Sequence, residues 1–223
     1  LAKKLRTSLN AAAIAHEINQ PLSRVILRAR MGMETVTGAS RDMLAALVAD
    51  AERVVSVIEK MKVLLRNVET VKREVNLAAV TASGLHQVKR PLCDAGVTVI
   101  RRGLDGSCLV LGDDVQLQLI IINLVTNAVE AIVTAKSPRR EIEVALHASD
   151  GAIELVVGDS GSGWPGGTLD DVLLSTTKAG GAGVGLYVVK TAVENHKGQI
   201  AIGRSSLGGA ELRITLARVN ERR

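Results

Sequence analysis

The sequence of 223 residues contains no phenylalanine, one tryptophan and one tyrosine. Its core must therefore be aliphatic, which suits helix bundles and sheets rich in valine and isoleucine, and the 47% of hydrophobic residues suffice to build one. The lack of aromatic rings for base stacking argues against nucleic-acid binding. We therefore interpret the net charge of +5 as that of solvated helical surfaces.

Cysteine is also scarce. Cys93 and Cys108 form no C-x-x-C pair and have no histidine nearby, which argues against a disulfide framework or a zinc site and fits a reducing cytosol. The longest apolar stretch, residues 117–133, is interrupted by Asn123, Asn127 and Glu130, so it predicts no membrane span, and nothing resembles a signal peptide. The chain starts inside a helical pattern without a methionine. We therefore expect an upstream sensor domain and a cytoplasmic location, with membrane attachment of the full-length protein left open.

The pattern of residues 1–72 predicts two long helices joined near residues 37–40. Apolar residues of the second helix recur at alternating three- and four-residue steps, at Leu44, Leu47, Ala51, Val54, Ile58, Met61, Leu65 and Val68. Such a seam is typical of coiled coils and four-helix bundles. Because two helices cannot enclose this core alone, the predicted fold is a helical hairpin that forms a four-helix bundle as a homodimer.

Residues 73–223 predict an α+β domain with helices on one face of a mixed or antiparallel sheet. Helices are expected at 77–95, 113–135 and 184–194, the second of them capped by Asp113 or Gly112. Strands are expected at 97–101, 108–111, 141–147, 152–157, 199–204 and 210–216. The turn Ser149-Asp150-Gly151 indicates a hairpin between the third and fourth of these strands.

The segment Ala15-His16-Glu17-Ile18-Asn19-Gln20-Pro21-Leu22 lies in the first predicted helix. A lone histidine on a helix is more often structural, but His16 lies one position past the apolar seam, where solvent and a substrate reach it. Neutral imidazole is a nucleophile, and Glu17 beside it can accept its proton. The H-E-x-x-H zinc motif is rejected because the fifth position is Gln20. Pro21 is expected to bend the helix just past the histidine.

Asn123, Asn127 and Glu130 form a polar stripe on an otherwise apolar helix, because steps of four and three residues return to one face. Buried amides need hydrogen-bond partners, which contacts between helices could supply. Alternatively, amide and carboxylate oxygens are hard ligands suited to Mg²⁺ held together with the phosphates of a nucleotide. The residues alone leave both interpretations open.

The segment Asp159-Ser160-Gly161-Ser162-Gly163 follows a predicted strand and, with Gly166, completes a G-x-G-x-x-G pattern. A dinucleotide-binding fold would need a helix to begin at once, but Pro165 continues the loop, so that fold is excluded. What remains is an acid at a strand end. Its carboxylate can accept a hydrogen bond from an exocyclic amine, and the glycines let a flat ring approach the backbone.

A second glycine-rich stretch, Gly180-Gly181-Ala182-Gly183-Val184-Gly185-Leu186, opens the last predicted helix. Unpaired N–H groups at a helix start bind anions, and Lys178 could add a positive charge. A flexible turn explains the stretch equally well when it is taken by itself. The interpretation as an anion site is supported by the order of the segments, in which the polar stripe, the D-x-G-x-G segment and this helix start follow one another.

Together these segments resemble the sensor histidine kinases of two-component systems over nearly the whole chain. H-E-I-N-Q-P-L at 16–22 is similar to the H-box, in the subgroup that includes oxygen- and nitrogen-responsive kinases. N-L-V-T-N-A-V-E-A at 123–131 resembles the N-box of the Bergerat ATP-binding fold, which is shared with gyrase. The stretches at 159–163 and 183–186 are similar to the two glycine boxes, and Gly208-Gly209-Ala210 resembles the terminal glycine element.

The resemblance implies a dimerisation and histidine phosphotransfer domain at 1–72 and a catalytic ATP-binding domain at 73–223, with ATP and Mg²⁺ as cofactors. It implies that His16 accepts the γ-phosphoryl group with Glu17 as general base. It also implies that Asn127 coordinates Mg²⁺ and that Asp159 binds the adenine amino group. The remaining residues that the resemblance assigns to nucleotide binding and to the lid are Asn123, Glu130, Gly161, Gly163, Thr177, Lys178, Gly183, Val184, Gly185 and Leu186.

The implied partners are a second copy of the chain and the receiver domain of a response regulator, whose aspartate takes the phosphoryl group from His16. Gln20 lies one helical turn after His16 and can orient a water against a phospho-aspartate, so a regulator phosphatase activity is also expected. The alternative is that Gln20 solvates the bend at Pro21. Whether autophosphorylation occurs within or across subunits is left open.

The sequence also bears on two other functions. A dimeric scaffold that binds nucleotide without transferring phosphate is kept as an alternative, because residues 172–175 are V-L-L-S where similar kinases carry phenylalanine before T-T-K. A gyrase-like ATPase clamp is rejected, because its catalytic glutamate would stand where this chain has Asn123.

Overall fold

The computed structural model describes residues 2–66, 72–164, 166, 169 and 183–219. The chain divides into two compact units, residues 1–70 and residues 71–223. The first unit contains two long helices, as predicted, α1 (Ala2–Thr35) and α2 (Ala39–Arg66). Gly38 adopts a positive φ of 61° between them, and its carbonyl accepts hydrogen bonds from the first turn of α2.

The hairpin of the first unit buries small and medium side chains between its two helices. Ala29 of α1 and Val48 and Ala51 of α2 are among the buried residues of this unit. Helix α1 continues through Pro21 without ending. Several larger apolar side chains point away from this seam and are exposed in the single chain: Ile18, Val25, Leu27, Met31, Met43, Leu47 and Val54.

The second unit contains four helices and seven strands among its described residues. In chain order they are β1 (Arg73–Asn76), α3 (Leu77–Gln87), α4 (Lys89–Asp94), β2 (Thr98–Arg102), β3 (Leu109–Gly112), α5 (Asp114–Thr134), β4 (Glu141–Ala148), β5 (Ala152–Asp159), α6 (Gly183–Asn195), β6 (Gln199–Arg204) and β7 (Ala210–Ala217). Five of the strands form a mixed sheet in the order β2-β4-β5-β7-β6. The β2–β4 pair is parallel and the other pairs are antiparallel.

Two details differ from the sequence-based expectation. The helix predicted at 77–95 is two helices separated at Val88, because a continuous helix would place Pro91, which lacks an N–H, in its interior. The short strand β1 was not predicted. It pairs only with β3, and four residues carry too little alternation to be recognised in the sequence.

Helices α5 and α6 pack against the five-stranded sheet, and α5 lies between α6 and α3. The covered face buries aliphatic side chains that include Ile142, Val144, Ile153, Leu155 and Ile214. The opposite face is polar and carries the ion pairs Arg102–Glu143 and Arg213–Glu154. This is the predicted α+β arrangement, with an aliphatic core as the composition requires.

Helix α5 is the central element of the unit. It starts at the predicted cap, where the Asp113 carboxylate accepts a hydrogen bond of 2.9 Å from the Gln116 N–H. By length and composition alone it could cross a membrane, but half of its apolar window is buried against the rest of the protein. Gly84 of α3 lets this helix come close, because a Cβ there would lie 2.9 Å from the Ile121 side chain. Its position is therefore fixed from several sides.

Candidate functional site

Asp159 ends strand β5 with a carboxylate that is only about 5% exposed. Its Oδ1 accepts hydrogen bonds from the backbone N–H of Gly161, at 2.7 Å, and of Ala210, at 3.1 Å. Within the part of the chain that the structure describes, Oδ2 has no recorded partner. The side chain is thus fixed through one oxygen, Oδ1.

Two glycines make this close packing feasible. A Cβ on Gly209 would lie 2.0 Å from Asp159 Oδ1, and one on Gly161 would lie 2.9 Å from the Ala131 side chain of α5. The Gly209 N–H also donates to the Asp159 carbonyl at 3.0 Å. These glycines therefore let β7 and α5 approach the acid. The sequence suggested that such glycines let a flat ring approach the backbone. It did not reveal that they also allow close packing within the protein around Asp159.

Ser160 fastens the loop that follows the acid. It is buried, and its hydroxyl donates to the Arg139 carbonyl at 2.5 Å and accepts from the Glu141 N–H at 3.1 Å. The start of β4 and the end of β5 are thereby tied together beside the carboxylate. Sequence reasoning missed this residue, although a small hydroxyl between an acid and a glycine at a strand end is a usable signal.

Burial dominates the electrostatics of Asp159. Loss of solvation raises the pKa of its carboxyl above the ordinary value, and the hydrogen bonds from Gly161 and Ala210 oppose this rise without cancelling it. The charged form is therefore destabilised in the folded protein relative to the unfolded chain. Ionisable groups held in such an unfavourable state occur mostly at binding and catalytic sites.

The polar stripe of α5 meets the first turn of α6. A Cβ on Gly185 would lie 3.2 Å from Asn127 Oδ1 and 3.3 Å from Asn123 Oδ1, so both amide oxygens face this glycine. Asn123 is buried and donates from Nδ2 to the Leu119 carbonyl at 2.7 Å, whereas Asn127 is half-buried. Two amide oxygens therefore converge beside a helix start. Glu130, the third member of the stripe, is exposed.

The amide pair fits a hard divalent cation through its oxygen donors. Among the described residues there is no cluster of three or more histidine, cysteine, aspartate or glutamate side chains that could hold a metal ion. A cation in this unit would therefore depend on the amide oxygens together with oxygens from a ligand. Magnesium, which usually keeps waters and phosphate oxygens as ligands, matches that donor set.

The other predicted residues are distributed as follows. His16 and Glu17 lie in α1, but their side chains fall outside the described residues, while the Gln20 side chain is exposed. Gly163 has a positive φ of 77°, in the loop after Asp159. Gly183 and Val184 form the first turn of α6, and Leu186 is buried. Thr177 and Lys178 lie outside the described residues.

Known proteins that are similar in sequence and known proteins that are similar in structure include histidine kinases in both cases. Residues 112–220 match the family model described as histidine kinase-, DNA gyrase B- and HSP90-like ATPase. The sequence is 32% identical to the sensor protein FixL of Bradyrhizobium diazoefficiens, over 95% of this chain and 43% of FixL. It is 30% identical to the sensor histidine kinase TmoS of Ectopseudomonas mendocina, over 90% of this chain and 22% of TmoS. The chain thus spans less than half of these relatives.

Solved structures share the fold. Full-length ShkA in complex with AMPPNP superposes with a TM-score of 0.71 at 20% identity, over 96% of this chain and 47% of that one. The Acinetobacter baumannii histidine kinase AdeS gives a TM-score of 0.60 at 17% identity, over 90% of this chain and 97% of that one. At these identities the similarity shows the fold alone.

The buried carboxylate leads to a prediction about stability. Asp159→Asn keeps an Oδ1 acceptor for both N–H donors but removes the charge, so we expect it to raise the free energy of unfolding at neutral pH. Because the pKa of Asp159 is raised in the folded state, wild-type stability falls as pH rises through and above the ordinary value of 3.8. The gain in the variant should therefore shrink as the pH is lowered toward that value.

Urea unfolding of both proteins at neutral and mildly acidic pH measures this difference. Asp105→Asn, at an exposed turn position, is the control and should change the free energy of unfolding by less than about 0.5 kcal/mol. A destabilised Asp159→Asn variant at neutral pH would show that the carboxylate serves the fold rather than a ligand.

Proposed function

This chain belongs to the sensor histidine kinase family, and we propose that it is an autokinase core that transfers the γ-phosphoryl group of ATP to its own His16. The observation that carries the proposal is the buried, half-satisfied carboxylate of Asp159, held within one unit that also brings two amide oxygens to a helix start. These are the two ends that a nucleotide needs, one for the base and one for the phosphates.

At the base end, Asp159 Oδ2 accepts a hydrogen bond from the exocyclic amino group of adenine. Its oxygen is fixed in advance, because Oδ1 is anchored by two backbone donors and Ser160 holds the loop. A preorganised acceptor in a poorly solvated place gives a stronger and more selective hydrogen bond than one exposed to water. Gly161 and Gly163 keep the adjacent backbone open toward the ring.

At the phosphate end, the N–H groups of Gly183, Val184 and Gly185 begin α6 and attract anions. Asn127 would hold Mg²⁺ through its side-chain oxygen, and Asn123 would support the same region from one helical turn away. The ion would supply positive charge that neutralises the phosphates. Glu130, Leu186, Thr177 and Lys178 complete the pocket and its lid, as the resemblance implies.

The transfer step needs a nucleophile from the other unit. A neutral ring nitrogen of His16 attacks the γ-phosphorus, the bond to the bridging oxygen breaks, and ADP leaves with that electron pair. The proton lost by the imidazole passes to Glu17, the adjacent general base. The product is phosphohistidine, which donates its phosphoryl group to an aspartate of a response regulator. Gln20, one turn further along α1, orients water for hydrolysis of that phospho-aspartate.

The first unit is proposed to be a dimerisation domain. Leu47 and Val54 of α2 and Ile18 and Val25 of α1 are each about 40–50% exposed in the single chain, although they are large and apolar. A second copy packed against them would complete a four-helix bundle. The sensing region, the regulator and any membrane attachment would then belong to segments and partners outside this chain, with the kinase core in the cytoplasm.

We predict that His16→Gln abolishes incorporation of phosphate from γ-labelled ATP, lowering it more than about a hundredfold while nucleotide binding persists. His147→Gln, on an exposed position of β4, is the matched control and should label normally. Chelation of Mg²⁺ should stop labelling of the wild type. The label should be lost in acid, as expected of a phosphorus–nitrogen bond.

Acid-stable label on the His16→Gln variant would refute the assignment of the acceptor. Nucleotide binding without any labelling of the wild type would favour the scaffold alternative, in which ATP is bound but not used.

We also predict that Leu47→Glu converts a dimer to monomers, because an unpaired charge in the bundle core costs several kcal/mol. Ala49→Glu, two positions along and on the opposite side of α2, is the control and should leave the dimer intact. Sedimentation velocity measures the mass, and circular dichroism checks that helix content is unchanged. An undiminished Leu47→Glu dimer would place the subunit interface elsewhere.

A further inference from the structure

His196 lies just past the end of α6 and joins this helix to the start of α5. The residue is buried, its Nδ1 lies 2.6 Å from the Ala192 carbonyl, and its Nε2 lies 3.0 Å from the Asp113 backbone nitrogen. A carbonyl only accepts and a backbone N–H only donates, so Nδ1 carries the proton and Nε2 accepts. Both contacts exist together only in this neutral tautomer. Protonation would set one N–H against another.

The surrounding backbone is shaped for this imidazole. A Cβ on Gly112 would lie 2.7 Å from His196 Cδ2, so only glycine leaves room for the ring. The helix ends in a Schellman motif, in which Gly198 N–H donates to the Val193 carbonyl and Lys197, at a φ of 55°, donates to Glu194. The ring is therefore positioned by a defined helix end rather than by a flexible loop.

Two neighbouring contacts strengthen the same junction. Asn195 donates from Nδ2 to Gln116 Oε1 at 3.3 Å, and Gln116 is buried in the first turns of α5. Lys72 donates from Nζ to the Asn195 carbonyl at 2.5 Å, where a positive charge suits a helix C-terminus. We call Lys72, Asn195 and His196, with their partners Asp113 and Gln116, the C-terminal anchor of α6.

The anchor lies at the opposite end of α6 from the glycine that faces the amides. Helices α5 and α6 run antiparallel, since Asn195 meets Gln116 while Gly185 meets Asn123 and Asn127. A helix rises about 1.5 Å per residue, so a slip of one residue at the anchor would move the first turn of α6 by a comparable distance. There is little room for such a slip beside Gly185, because a Cβ added to this glycine would already lie 3.2 Å from Asn127 Oδ1.

We propose that His196 is a positioning residue, which sets the register of α6 against α5 and thereby the placement of the helix start that binds nucleotide phosphates. This inference rests on the proposed function for the phosphate end, and it predicts an effect on phosphate binding rather than on adenine binding. The Asp159 end depends on contacts with Gly161, Ala210 and Ala131, and His196 makes none of these contacts because it meets α5 at the other end, at Asp113.

The anchor should also respond to pH. Burial, the largest effect, lowers the pKa of His196, and the nearby Lys72 lowers it further, while the hydrogen bond to Ala192 and the Asp113 charge oppose them. The charged groups that act on the ring are thus Lys72, in the segment before β1, and Asp113, at the start of α5. Because the pKa of His196 is below its ordinary value of 6.5, the neutral anchor is intact at and above that value and is lost only as the pH falls through the lowered pKa of the folded state.

Two amide substitutions separate the contacts of His196. In His196→Gln the side-chain amide reaches the position of Nε2, so its oxygen can still accept from the Asp113 N–H without titrating. In His196→Asn the shorter amide reaches only the position of Nδ1, so that acceptor is lost. Both variants replace the imidazole with an amide that does not titrate, and they differ from each other by one methylene group.

The experiment measures binding of AMPPNP and of adenosine to the full chain and both variants, at about pH 8 and about pH 5. We expect His196→Asn to weaken AMPPNP binding about tenfold at the higher pH, with adenosine binding unchanged, and His196→Gln to restore it. When the pH is lowered, the ratio of AMPPNP affinity to adenosine affinity should decrease more in the wild type than in His196→Gln. Equal losses for both ligands, or no loss in His196→Asn, would overturn the inference.

Amide hydrogen exchange at Asp113 and along α6 gives a readout without nucleotide. Exchange should be faster in His196→Asn than in wild type and His196→Gln, and unchanged exchange would also overturn the inference. Absence of any nucleotide binding by the wild type would count against the proposed function instead, and the exchange data would still decide whether the anchor fixes α6.

Discussion

The buried carboxylate of Asp159 imposes a tight packing constraint on the second unit. It is buried at the end of β5 and fixed by the N–H groups of Gly161 and Ala210, so the loop after β5 and the start of β7 must both turn toward it. Gly209 must lack a side chain for this to happen. The antiparallel register of β5 and β7, in which Gly158 faces Glu211, brings these segments together. A costly buried charge thus organises the local backbone.

Helix α5 connects the acid to the phosphate end. Its Ala131 packs against Gly161 beside the acid, and its Asn123 and Asn127 face Gly185 of α6. A single rigid helix therefore spans both ends of the proposed nucleotide, and its own position is set by the Asp113 cap and by close contact with Gly84 of α3. Rigid support of this kind keeps binding groups in place before a ligand arrives, which lowers the entropic cost of binding.

Long, regular features of this fold could be predicted from the sequence, and short or long-range ones could not. Helix α2, the cap at Asp113 and the β4–β5 hairpin each depend on residues close in sequence, and the structure has all three. The break at Val88 and the short strand β1 depend on tertiary pairing, which leaves little local pattern. For the candidate site, Asp159 and the amide pair were proposed from their residue types and spacing. The contacts of Ser160 and Ala210 were not, because they join segments far apart in the chain.

The central proposal is that Asp159 Oδ2 accepts a hydrogen bond from the adenine amino group. Inosine triphosphate, which has a carbonyl in place of that amino group, tests it directly. Calorimetry should show that the wild type prefers ATP to inosine triphosphate by roughly 10- to 100-fold, the range of one hydrogen bond to a charged group. In Asp159→Asn, Oδ1 remains held by the backbone and Nδ2 takes the place of Oδ2, so the preference should disappear or reverse. An equal preference in both proteins would contradict the account.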